Sequence, residues 1–383
     1  MKTATRSTIL LLLAALTLTS CTPAAAPAPT ASPSPSPTPT PTATPDPLAG
    51  MSLQDKVGQM FMVGTSVEGA NPTTLAAVRH DHVGGIFLHG RSDAGTQATA
   101  DLIGQFTSTV GADAPQLWVA TDQEGGTVQV LKGPGFDRIP SAVEQAAQTD
   151  AALRSSAATW STQLAQSGVN MNLAPVADIV TSPEFAASNP PIGALAREYG
   201  YDETAVATKV GAFAAGMRDG GVMPTLKHFP GLGHVDENTD TRTGVTDDTV
   251  TADGADVGVY ASVLPQGDAI VMMSTAIYAR IDPSAPAAFS PAVVDVLRDR
   301  IGFDGVITVD DLSAARQVQP WSPADRATLA VDAGVDLLLV SADPSVYPDM
   351  HQAVLSRAES DPAFAAKVDA AARRIVEQKA SMP

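Results

Sequence analysis

Residues Val222–Val245 read VMPTLKHFPGLGHVDENTDTRTGV, and the first half of this stretch decides the fold. It opens as an apolar run and turns polar at Lys227-His228, followed by Phe-Pro-Gly and a loop rich in His, Asp, Glu, Asn and Thr. A parallel strand covered on both faces reads as a continuous apolar run. Charged side chains at the end of such a strand are costly to bury unless they meet partners or a ligand.

Working outward, similar runs recur at 60–64, 84–89, 117–122, 169–178, 269–278, 305–311 and 336–342, which with 222–228 makes eight. Helix-like stretches lie between them, among them Ala151–Ser167, Asp202–Asp219, Ser290–Arg300 and Pro323–Ala333, the last two starting at Ser-Pro cap signals. Lys367–Lys379 reads as the outer helix that closes the domain. Eight strand–helix units predict an α/β (β/α)8 TIM barrel, a single catalytic domain over 48–383. A doubly wound open sheet shares the alternation, but no Gly-x-Gly-x-x-Gly follows the first run, which argues against a dinucleotide fold.

The polar residues sit where a barrel would gather them. Asp122, Asp178, Lys227, His228, Asp310 and Asp311 all end apolar runs, and the C-terminal ends of barrel strands converge on one face.

The first 47 residues differ in kind. Lys2 and Arg6, the apolar run Ile9–Leu18 and then Leu-Thr-Ser-Cys read as a secretory signal over 1–20 that resembles a bacterial lipobox. Lipidation of Cys21, the one cysteine, is the expectation, with the protein extracytoplasmic and anchored to the cell membrane. Residues 21–47 are almost all Pro, Thr, Ala and Ser, an extended linker able to span roughly 80 Å at about 3.1 Å per residue. The net charge of −18, without a run of Lys or Arg, argues against a nucleic-acid partner. His80, His82 and His89 fall on different faces with no completing ligands, so no metal and no cofactor is expected.

The motifs ATDQEGGTVQ (120–129), GVNMNLAPVADI (168–179), KHFPGLG (227–233) and IGFDGVITVDDLS (301–313), in this order, resemble the bacterial β-N-acetylhexosaminidase branch of glycoside hydrolase family 3, from about Ser52 to about Lys379. The resemblance implies a retaining enzyme acting on β-linked N-acetylglucosamine in peptidoglycan-derived or related glycans. It places the nucleophile at Asp310, with Asp311 as its neighbour pointing elsewhere along the strand. It also implies that Lys227 and His228 hold sugar hydroxyls, that Asp122 binds the far edge of the sugar, that Arg197 helps seat it, and that Asp178 is structural support.

Two positions depart from the family pattern. Thr127 stands where the family usually has Arg, and the loop after KHFPGLG has Asn238-Thr239-Asp240 where Asp-Ser-His supplies the acid/base histidine. Two replacements stay open: Asp240, in the place of the missing His, or His234 with Asp236 or Glu237. An acidic group there would repel phosphate and favour hydrolysis over phosphorolysis. The alternatives to an active hexosaminidase are a sugar-binding protein that lost the loop chemistry, and a β-glucosidase of the same family.

Overall fold

All eight apolar runs contribute strands to one parallel sheet. In chain order these are β1 (Phe61–Ser66), β2 (Gly85–His89), β3 (Trp118–Thr121), β4 (Met171–Asn172), β5 (Met223–Phe229), β6 (Ile270–Met273), β7 (Ile307–Val309) and β8 (Leu338–Val340). Each pairs in parallel with its sequence neighbour from β1 to β7, and β8 returns to pair with β1. One parallel bridge, Thr308 to Leu337, joins β7 to β8 and nearly closes the barrel. The computed structural model describes residues 46–382 except Asp113, together with Leu18, Ser20, Cys21 and Ala24–Ala26. The rest of the signal segment and linker expected over 1–47 lies outside the described residues, whereas Cys21 is described and exposed.

The helices form where the sequence places them. Helix α1 (Asp150–Gln166) is capped by Thr149, and α2 (Glu203–Asp219) by Asp202, whose carboxylate accepts the N–H of Ala205 at 2.9 Å. Helix α3 (Pro323–Ala333) starts at the Ser322-Pro323 signal, with Ser322 Oγ accepting the N–H of Asp325, and ends at Gly334 with φ +103°, a left-handed conformation that glycine adopts without a Cβ penalty. The Ser290 signal also caps a helix, but its last turn, Val296–Arg300, widens to π geometry. Helix α4 (Pro362–Ala380) lays Phe364, Val368, Ala371, Ala372 and Ile375 against the core.

Two runs depart from the simple expectation. The fourth has its regular ladder only at Met171–Asn172, and Pro175 has no N–H to donate; the backbone nevertheless stays on β5 through Thr225 N–H to Ala174 O at 3.0 Å and a parallel bridge between Val176 and Lys227. The sixth was expected to continue to Tyr278, but β6 stops at Met273. Ser274 Oγ takes the N–H of Ala276 at 3.0 Å and turns the chain out of the barrel. Ile277–Tyr278 then join a separate three-stranded sheet with Thr246–Asp247 and Asp282–Pro286.

The seam between β7 and β8 is held by charge as well as by the backbone. Asp336 is 1% exposed and accepts from Arg298 Nη2 at 2.5 Å, Arg374 Nη1 at 2.9 Å and the Ile307 N–H at 2.8 Å. One carboxylate thereby ties β7, β8, the π turn and α4 together. Asp336→Ala leaves the buried end of Arg298 without its counter-charge, and the expected loss in unfolding free energy is about 3–5 kcal/mol by denaturant titration.

Candidate active site

Strand-end residues distant in the chain meet at one cavity of about 220 Å³, lined by Asp122, Glu124, Arg197, Lys227, His228, Asp240 and Asp310 among others. That volume is small for a ligand pocket and suits one sugar ring better than an oligosaccharide. Lys227 and His228 are consecutive, and on a regular strand they would face opposite sides. The Lys227–His228 peptide is cis and the pairing of β5 with β6 shifts between Lys227 and Phe229, and both side chains line the cavity.

A chain of charges forms the cavity wall. Lys227 Nζ lies 2.6 Å from Asp122 Oδ1 and 2.6 Å from Glu124 Oε1, and Arg197 donates two bonds to Glu124, at 2.8 and 2.7 Å. Burial opposes the charge on Glu124, but Arg197 and then Lys227 overcome it and hold the carboxyl down to about 2. Burial likewise disfavours the Lys227 ammonium, and Asp122 and Glu124 more than offset it, so its pKa is raised. Sequence reasoning found Asp122, Lys227 and Arg197 but missed Glu124, the group that joins two of them. The available signal was its spacing: Glu124 is two residues beyond Asp122, so on an extended chain it shares the same face.

Asp178 stands behind the wall rather than in it. It is fully buried, accepts His228 Nδ1 at 2.7 Å, and takes the N–H of His228 at 3.1 Å and of Leu232 at 2.8 Å. Binding Nδ1 in this way leaves Nε2 as the imidazole nitrogen able to meet a sugar hydroxyl. Asp310 continues β7 by one residue, its N–H on Met273 O at 3.0 Å, and its side chain borders the cavity. Asp311 turns away and is spent on backbone and hydroxyl donors of Ser313, Ala314 and Ser341.

The two acid/base candidates part company. His234 does not line the cavity; its Nδ1 lies 2.7 Å from Thr181 Oγ1 and its Nε2 3.0 Å from Asp256 Oδ1, so both ring nitrogens are engaged elsewhere. Asp236 and Glu237 are exposed and also absent from the lining. Asp240 borders the cavity, open to solvent at its mouth. Partial desolvation and then the charge of Asp310 push its pKa up to about 6, against the weaker pull of His228 and Arg197.

A parallel barrel whose strand ends present one carboxylate beside a second that is pushed toward its protonated form, over a polar cavity the size of a sugar ring, has the parts of a glycoside hydrolase. The chain belongs to glycosyl hydrolase family 3: residues 52–378 match the family's N terminal domain. It is 31% identical over 318 residues to beta-hexosaminidase LpqI of Mycobacterium tuberculosis, covering 79% of this chain and 78% of that one. A solved beta-N-acetylhexosaminidase from Beutenbergia cavernae superposes with TM-score 0.85 at 56% identity, covering 87% of this chain and 99% of that chain. A family 3 beta-N-acetylglucosaminidase from Paenibacillus sp. superposes with TM-score 0.80 at 30% identity, covering 86% of this chain and 62% of that chain.

The depressed pKa of Glu124 makes a pH prediction whose sign is fixed. Its ordinary value is 4.5 and its folded value about 2, so the stability it contributes is present above pH 4.5 and is lost as pH falls toward 2. Glu124→Gln is expected to lower stability at neutral pH and to flatten the pH dependence in that window, measured by denaturant titration at a series of pH values.

Proposed function

We propose that this chain is a retaining β-N-acetylhexosaminidase that removes terminal β-linked N-acetylglucosamine by double displacement. The observation that carries the reading is the pairing of Asp240 and Asp310 on one cavity, with Asp240 raised to about 6 by burial and by Asp310 itself. The names of the relatives support the substrate class. Asp310 Oδ attacks the anomeric carbon while the glycosidic oxygen leaves with the proton of Asp240, and a glycosyl ester forms. Asp240, now a carboxylate, then takes a proton from water as that water opens the ester and restores Asp310.

Asp122, Lys227, His228 and Arg197 grip the sugar, and the N-acetyl group lies in the cavity without needing to attack. An acidic group at the leaving-group position repels phosphate, so water is the acceptor. Peptidoglycan fragments suit an extracytoplasmic enzyme, tethered through lipid on Cys21 by the linker at 21–47; the Leu-Thr-Ser-Cys sequence supports this placement.

The test is turnover of a β-N-acetylglucosaminide and the matching β-glucoside, with Asp310→Ala as the blank. Turnover of the amino sugar well above the blank is expected; binding without turnover would instead mark a sugar-binding protein, and preference for the glucoside a β-glucosidase.

The first step needs Asp240 protonated. For substrates with poor leaving groups kcat/KM is therefore expected to fall about tenfold per pH unit above the Asp240 pKa of about 6. Asp240→Asn is expected to remove that limb and to reduce kcat/KM on these substrates by roughly 100- to 10,000-fold, read from pH–rate profiles.

A further inference from the structure

The segment carrying Asp240 is a surface turn with few ties to the barrel. Asp240, Thr241, Arg242, Thr243 and Gly244 are all exposed. Their bonds are largely internal: the Asp240 N–H to Asn238 Oδ1 at 2.8 Å, and the N–H groups of Thr241 and Arg242 to Asn238 O at 3.1 and 2.9 Å. Arg242 reaches Glu237 only at 3.7 Å, between two exposed side chains, and an ion pair of that kind holds little. Left to these contacts alone, the turn would sample many positions relative to Asp310.

One residue closes both ends of the turn. Gln317 is 2% exposed and follows Asp310 by seven positions in the same connection. Its backbone N–H donates to Thr239 O at 3.0 Å, its side-chain Oε1 accepts the Val245 N–H at 3.0 Å, and its Nε2 donates to Val245 O at 3.2 Å. The adjoining Arg316 N–H donates to Asp240 O at 3.2 Å. Thr239 and Val245, the last buried residues before and after the exposed turn, are thus both fastened to the peptide that carries Asp310. The amide suits the task because it offers one acceptor and one donor to one backbone unit. Neither a carboxylate nor an apolar side chain of that size does so.

We infer that Gln317 is a positioning residue for the reaction: by clamping the 239–245 turn to the segment after β7, it sets Asp240 over the glycosidic oxygen at a fixed distance from Asp310. This rests on the acid/base reading of Asp240. The raised pKa of Asp240 agrees with it, because part of the rise comes from Asp310 and requires the two carboxyls to be held near each other.

The test compares Gln317→Leu, Gln317→Asn and Asp240→Asn in the full chain. Two N-acetylglucosaminides serve as probes, a dinitrophenyl glycoside whose leaving group needs no proton and a disaccharide whose leaving group does. The Gln317 variants are expected to lose kcat/KM on the disaccharide by roughly 10- to 100-fold, the scale of a misplaced catalytic group. On the dinitrophenyl substrate the change stays under about threefold, and the alkaline limb of the pH profile moves to lower pH as Asp240 escapes the field of Asp310. Gln317→Asn keeps the amide one methylene short and serves if the Leu variant does not fold. Equal losses on both substrates, or no loss, with Asp240→Asn still showing the leaving-group dependence, would overturn the positioning role alone. If Asp240→Asn itself lacks that dependence, the acid/base reading falls and the positioning role with it.

Discussion

A buried ammonium that must be neutralised is the constraint from which the site follows. Lys227 lies near the end of a strand covered on every face, and a lone charge there would cost several kcal/mol. Asp122 and Glu124 approach it from the end of β3, and Glu124 in turn binds Arg197 from the connection after β4. The ends of β3 and β5 and the connection after β4 are thereby fixed relative to one another by charge. The result is a rigid rim of donors and acceptors before any sugar arrives, the preorganisation that sugar binding and transition-state stabilisation both need.

The opposite rim is governed by like charge. Asp310 and Asp240 border a common cavity from β7 and from the loop after β5, and desolvation and then the charge of Asp310 raise the Asp240 carboxyl to about 6. On the proposed mechanism, nucleophile and acid are two residues of the same type, told apart by surroundings. Nearby contacts tie the segments that carry them: the bridge at Thr308–Leu337, the ion cluster at Asp336, and the hydrogen bonds of Gln317 to Thr239 and Val245.

Much of this was legible in the residues. Strands buried on both faces announce themselves as continuous apolar runs, so all eight were found, and of the charged residues ending such runs Asp122, Lys227 and Asp310 line the cavity while Asp178 and Asp311 hold neighbouring donors. What escaped notice depended on the path of the chain between elements. Glu124 lies two residues past the end of the third apolar run, and only its alternation with Asp122 on an extended chain marks it as facing the same way. The break after β6 turns on a hydroxyl capping its own backbone at Ser274, which an apolar pattern does not register. The place of the missing His pointed to Asp240 ahead of His234, and what separates the two in the structure is their distant partners, Thr181 and Asp256 for the histidine and Gln317 for the turn. The signal segment and linker expected over 1–47 rest on composition alone.

The central claim is that Asp310 becomes glycosylated during turnover. Incubation with a fluorinated, slow-releasing N-acetylglucosaminyl fluoride, followed by digestion and peptide mass spectrometry, reads this directly. The account predicts one sugar per chain, attached at Asp310 and lost on prolonged incubation in buffer. A stable adduct on another residue, or continued turnover of the reagent with no adduct on Asp310, would contradict it.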